Sequence, residues 1–198
     1  MRLAVFASGN GSNAQAVIDA CRDGMLDAET VLVVSDKPDA RVTERAYEAG
    51  IDCFAASPKS FDSKASFEEA VHKELSSRNV DALVLAGYMR LIGSVLLSRW
   101  AGRIVNIHPS LLPSFPGLDA IGQAVEAGVR VTGVTIHLVD EGMDTGPILA
   151  QKPVTIERGE TKQEVEAAVR AVEHELYVDT LRWWLAELKE ESLCQREH

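Results

Sequence analysis

A chain of 198 residues, 46% hydrophobic and 25% charged, has room for one well-cored globular domain and little for a second. Its net charge of −10, with no basic stripe, argues against a general nucleic-acid surface, and any anionic ligand must be met by local groups against a repulsive global field. The apolar opening is interrupted by Gly9 too soon for a signal peptide or membrane span. Cys21, Cys53 and Cys194 are widely spaced with no CxxC, so reduced thiols in a cytoplasmic protein are expected, with no disulfide frame and no metal cluster.

Leu3 to Ala7 is a short apolar run of the buried-strand kind. It ends in Ser8-Gly9-Asn10-Gly11-Ser12-Asn13, and Ala16, Val17, Ala20 and Cys21 then recur at helical spacing. Strand, glycine-rich turn and helix make a place for an anion, because the first-turn N–H groups lack partners and the helix dipole favours negative charge. Gly9, Gly11 and Ala14 also fit the loose dinucleotide fingerprint, with Asp36 placed as a ribose-binding acid would be. Ser12 and Asn13 in the turn suit a single phosphate better than a pyrophosphate, which needs close glycine approach.

Glu29 to Ser35 reads as the second buried strand, Arg41 to Ala49 as a helix stopped by Gly50, and Ile51 to Ala55 as a brief third strand. Ser66 and Glu69 form a capping-box pattern opening a helix to about Arg78. Asp81 to Ala86 is the fourth strand. It leads into Gly87 to Ile92, at the carboxyl end of a central strand, where open α/β sheets bind ligands. Leu91 and Ile92 are explained equally well as core. An apolar run around Arg90 is also what a flat heterocycle with a carboxylate tail requires.

Ile104 to Pro113 carries the polar pair Asn106 and His108 within an apolar strand that breaks at Pro109. The i, i+2 spacing puts both side chains on one face, and buried polar groups must be paired. Asp144, in the loop Asp140 to Pro147, is the expected partner of His108. An amide donor, an imidazole and a carboxylate make an acid/base constellation for a reaction at a carbonyl carbon. A satisfied core histidine beside a tight turn is the ordinary explanation of one strand histidine, and it leaves the rest of the motif unexplained.

Leu118 to Ala127 reads as a helix closed by Gly128. Val131 to Val139 and Pro147 to Ile156 read as strands whose short connection allows antiparallel pairing. His137, on the first of them, is a second acid/base candidate, better explained as a hydrogen-bonded strand histidine near the site. Thr161 and Glu164 form another capping box, starting a long amphipathic helix to about Lys189 with Val165, Val169, Val172, Leu176, Leu181, Leu185 and Leu188 inward. The polar tail from Glu190 is expected to fray.

Asn106-Ile-His108-Pro-Ser-Leu-Leu-Pro113, with Met143-Asp144-Thr-Gly-Pro147, resembles the signature of the folate-dependent formyltransferases. Phe6 to Asn13 resembles the branch of that family acting on glycinamide ribonucleotide. The resemblance runs from the first strand to about Tyr177, with the motifs at their mutual spacing. It implies transfer of a formyl group from 10-formyltetrahydrofolate to the amine of 5-phosphoribosyl-glycinamide in purine biosynthesis, with no metal, no nucleic acid and no membrane partner. Asn106, His108 and Asp144 would be catalytic: Asn106 donates to the developing oxyanion, protonated His108 stabilises it, and Asp144 holds the imidazole and favours its charged form. Lys64, Met89, Arg90, Leu91, Ile92 and Asn106 would hold the folate, and Gly11, Ser12, Asn13 and Glu173 the nucleotide substrate.

Lys64 stands where relatives often carry arginine, so it lacks the bidentate fork. Asp119, Ala120 and Ile121 stand where relatives often carry histidines. A formyltetrahydrofolate hydrolase or a methionyl-tRNA formyltransferase shares the core but would be expected to carry a further domain. An NAD-dependent oxidoreductase leaves Asn106 and His108 unexplained, and a non-catalytic nucleotide-binding module has no need of a His108–Asp144 pair. A homodimer stays open. The fold expected is doubly wound α/β, with a mostly parallel, mixed sheet of about seven strands and a Rossmann-like amino-terminal half. One domain is expected over residues 1–189, nucleotide-binding to about 100 and folate-binding and catalytic from 101, followed by the tail at 190–198.

Overall fold

Alternation along Leu3-Ala4-Val5-Phe6 sends side chains to both faces of a strand, and all four are fully buried, which requires cover on both sides. The computed structural model, which describes residues 1–194, supplies that cover. Strands β1 (Arg2–Phe6), β2 (Glu29–Ser35), β3 (Cys53–Ala55), β4 (Ala82–Leu85) and β5 (Ile104–His108) pair in parallel. Strands β6 (Val131–Leu138) and β7 (Ile148–Thr155) add antiparallel at one edge, giving a seven-stranded sheet in the order β3-β2-β1-β4-β5-β6-β7. The mixed α/β sheet is therefore as the apolar runs indicated.

Leu3 and Val5 face a cluster built with helices α1 (Ser12–Arg22), α2 (Arg41–Glu48) and α6 (Lys162–Cys194). Ala4 and Phe6 face the opposite cluster, with α3 (Lys64–Ser77) and α4 (Ser94–Trp100). The chain leaves β1 toward β2 on one side and reaches β4 on the other, so the carboxyl ends of β1 and β4 open a crevice at the switch point. Across that crevice α6 is anchored by Tyr177, fully buried, whose hydroxyl donates to the Leu85 carbonyl at 2.8 Å. Tyr177→Phe removes this bond, while the Leu85 carbonyl keeps its place in the β4–β5 ladder. A loss of about 1–2 kcal/mol in a urea unfolding titration is expected.

Strand β3 starts at Cys53 rather than Ile51, and three helix boundaries differ from the sequence reading. Helix α3 begins at Lys64, with Ser63 as N-cap in a reciprocal box with Ser66, not at Ser66 with Glu69. Phe67, Val71 and Leu75 form its inward stripe, all buried. Helix α5 (Ala120–Glu126) starts after Asp119, whose carboxylate accepts from the Gly122 N–H at 3.2 Å, so Leu118 is left outside. Helix α6 does not end near Lys189 but continues through Cys194, because Glu190 to Cys194 contain neither glycine nor proline to stop it. The remainder of the expected tail, 195–198, lies outside the described residues. Helix α4 has no counterpart in the sequence reading: at 7 residues it is too short for a helical period to register. Among the described residues no helix is long and apolar enough to cross a membrane.

Candidate active site

Antiparallel pairing of β5 with β6 sets Asn106 opposite His137 and His108 opposite Thr135. Cross-strand neighbours on one face touch, and the Asn106 Nδ2 lies 3.1 Å from His137 Nε2. His137 Nδ1 is 2.8 Å from the Leu138 carbonyl, which can only accept, so that nitrogen carries the proton. In the neutral ring Nε2 is then an acceptor, and it takes one of the two Asn106 amide hydrogens.

His108, 5% exposed, is held by the same logic from the other direction. Its Nε2 lies 2.9 Å from the Phe115 carbonyl, again an acceptor only. The proton on Nε2 is therefore fixed, and Nδ1 is the nitrogen free to gain or lose one. The segment delivering Phe115 is itself secured: Thr135 Oγ1, buried, donates to the Ser110 carbonyl at 2.7 Å and accepts from the Leu112 N–H at 3.0 Å. The sequence reading gave the task of orienting His108 to Asp144. In the structure the Phe115 carbonyl holds Nε2 while Asp144 lies against Nδ1.

Asp144 sits between the two imidazoles. Its Oδ2 is 3.4 Å from His108 Nδ1 and its Oδ1 is 3.6 Å from His137 Nε2. The Gly117 N–H donates to Oδ2 at 2.8 Å. Asp144 adopts φ of 57°, a left-handed conformation that aspartate tolerates. The loop is shaped by Asp140, whose carboxylate accepts from the Gly142 N–H and the Thr145 hydroxyl. Burial alone would raise the Asp144 carboxyl; a proton on His137 Nε2, in place of the bond from Asn106, together with the Gly117 N–H and charge on the two rings outweighs it and holds it below the usual carboxylate range.

This cluster opens onto a cavity of about 620 Å³ at the switch point. Of the residues singled out from sequence, Asn13, Met89, Arg90, Leu91, Ile92, Asn106, His108, Asp144 and Glu173 line it. The 87–92 segment is pinned to the β1 loop, with the Ser8 N–H donating to the Gly87 carbonyl and the Met89 N–H to Ser8 Oγ at 2.8 Å. Just beyond it, the Gly93 N–H donates to the buried Glu68 carboxylate at 2.6 Å. Met89, Leu91, Leu118 and Met143 are each more than half exposed, leaving an apolar rim around the opening.

Lys64 is not brought into the cavity. Because α3 starts at Lys64 itself, its ammonium lies along its own helix, 4.0 Å from Glu68. Gly11 and Ser12 also lie outside the lining; Gly11 is the N-cap of α1, at φ 73°. At this end Asn13 Oδ1 is buried without a partner. Burial raises the Glu173 carboxyl, partly offset by the Asn13 amide and Arg170. Arg170 and Glu166, one helical turn apart on α6, line the cavity with Glu173 and were missed, although spacing of three and four from Glu173 and Arg170 was a readable signal. Asp119, Ala120 and Ile121 line it too, with Asp119 tied to Lys162 at 2.7 Å.

Residues 1–181 match the formyl transferase family. The chain belongs to that family. Among its formyl transferase relatives, the phosphoribosylglycinamide formyltransferase of Bacillus subtilis is 50% identical over 181 residues, 91% of this chain and 93% of that one. The protein of the same name from Escherichia coli is 38% identical over 184 residues, 93% of this chain and 87% of that one. In structure, the phosphoribosylglycinamide formyltransferase of Bacillus halodurans superposes with a TM-score of 0.91 at 52% identity, covering 93% of this chain and 95% of that one.

Proposed function

We propose that this formyl transferase moves a formyl group from 10-formyltetrahydrofolate to the amine of 5-phosphoribosyl-glycinamide, in the cytoplasm. The observation that carries the proposal is the Asn106–His137–Asp144–His108 constellation in the wall of a cavity with an apolar rim at one end and Asn13 and Glu173 at the other. The size and lining of the cavity support this reading. Its volume lies in the range of ligand sites. Tyr88, Met89, Leu91 and Ile92 suit a flat ring system, Arg90 suits a carboxylate tail, and the unpartnered Asn13 Oδ1 asks for a donor such as a ribose hydroxyl.

When bound, the folate supplies a formyl group at the acyl oxidation level, so no redox step is needed. Asn106 has one amide hydrogen spent on His137 and a second left for the formyl oxygen. His108 Nδ1, protonated, stabilises negative charge on that oxygen. Asp144, 3.4 Å from His108 Nδ1, is assigned the proton that the attacking amine must lose and that the departing folate nitrogen must gain.

The direct test follows loss of formylfolate with and without phosphoribosyl-glycinamide. Turnover that requires the amine is expected; turnover in its absence would make the protein a hydrolase, and none in either case a binding module. A second test concerns the phosphate loop. Any side chain at Gly11 meets Val42 Cγ2 at 2.7 Å and is strained at φ +73°. Gly11→Val should therefore raise KM for the nucleotide roughly tenfold or more, the scale of charge-assisted hydrogen bonds. Folate affinity measured without nucleotide should hold. Equal damage to both would mark a folding defect and remove the assignment.

A further inference from the structure

The chain must hold an anionic nucleotide against its own negative field, and the groups that do so need explaining. Helix α2 lies against the turn between β1 and α1. The Val42 N–H donates to the Gly9 carbonyl at 3.1 Å. One helical turn on, Arg45 Nε donates to the Asn10 carbonyl at 2.7 Å. Two consecutive carbonyls are thus drawn toward α2. In a trans peptide the N–H points opposite to the C=O, so the N–H groups of Asn10 and Gly11 face the other way, and neither is used in the turn's own backbone bonds. Successive N–H groups turned outward make an anion-binding concavity. It is continuous with the amino-terminal end of α1, which has no side-chain cap and no acidic residue in its first turn.

The rest of the Arg45 guanidinium is bound by neutral acceptors only, Gln15 Oε1 at 3.2 Å and Asn10 Oδ1 at 3.4 Å. Arg2, Arg22, Arg78 and Arg99 each pair with a carboxylate. Among the described residues, Arg45 forms no such pair, and its charge is left unneutralised one residue from Gly11. We propose that Arg45 is the positioning residue of the phosphate loop, turning the Asn10 and Gly11 N–H groups toward the substrate's phosphate while its free charge offsets the field of the chain. The proposal rests on the nucleotide reading above and deepens it.

The test compares Arg45→Met and Arg45→Lys with the unsubstituted protein and with Gly11→Val. KM is measured for phosphoribosyl-glycinamide and for formylfolate, together with kcat and inhibition by ribose 5-phosphate. Arg45→Met should raise nucleotide KM and weaken ribose 5-phosphate inhibition by the same factor, roughly tenfold. Formylfolate KM and kcat at saturation should stay within about twofold, because the donor's end of the cavity is not touched. Arg45→Lys keeps the charge and loses the fork, so it should recover only part of the loss. Equal changes in both KM values, or lowered thermal stability with nucleotide KM unchanged, would make Arg45 a packing residue and overturn the proposal. If Gly11→Val weakens nucleotide binding and Arg45→Met does not, the proposal falls and the loop keeps its assignment. If neither does, and ribose 5-phosphate fails to inhibit the unsubstituted protein, the placement of the phosphate itself falls.

Discussion

Replacing His108 by alanine should lower kcat by about 10²–10⁴-fold while formylfolate affinity stays within a few fold. The expectation follows from where the two ring nitrogens point. Nε2 is committed to the Phe115 carbonyl at 2.9 Å, so only Nδ1 faces Asp144 and the cavity. Alanine removes both contacts and leaves a void in a place that is 5% exposed, so part of its effect is structural. His108→Gln separates the two. Its amide nitrogen reaches about where Nε2 does and can still donate to Phe115, while nothing titratable remains at the Nδ1 position. Loss of kcat in both variants, with thermal stability preserved in the glutamine one, assigns the effect to Nδ1. Full turnover in His108→Gln would leave His108 a packing residue.

Much of this site was legible because it is local. Asn106 and His108 sit two apart on a strand, and that period is enough to place both on one face. The turn after β1 and the run from Met89 to Ile92 could be placed at strand ends from apolar patterning alone, and both are there. What was not legible depends on register and on backbone. Nothing in the sequence says that His137 pairs across from Asn106, because the offset between β5 and β6 is fixed by the whole sheet. The Phe115 carbonyl that orients His108 has no side-chain signature at all. The start of α3 is a related case. Two overlapping serine patterns were available, Ser63 with Ser66 and Ser66 with Glu69, and the sequence alone does not choose between them.

Asp144→Asn should keep the fold and lose activity at neutral pH by ~10²-fold or more, the size of effect that removing one preorganised charge or donor produces. The fold is expected to survive because asparagine also tolerates φ near 57° and can still accept the Gly117 N–H with its amide oxygen. What disappears is a negative charge 3.4 Å from His108 Nδ1 and 3.6 Å from His137 Nε2. With it goes the only carboxylate among the described residues that faces the inward nitrogen of His108. Stability carries an independent signature with a definite sign. Burial works to raise the Asp144 carboxyl, and the two rings and the Gly117 N–H more than reverse it, leaving it depressed. A depressed carboxylate contributes stability that is present above its unfolded value, about 3.9, and is lost as pH falls through the lower folded value. The wild type should therefore gain stability relative to the variant as pH rises through the carboxylate range, and the gap should stay level from there to neutrality. Two measurements check this: kcat at neutral pH, and urea unfolding of both proteins from acid to neutral pH. A variant that keeps the wild type's kcat at neutral pH would mean that the charge of Asp144 takes no part in the reaction, and Asp144 would then serve only as a turn residue.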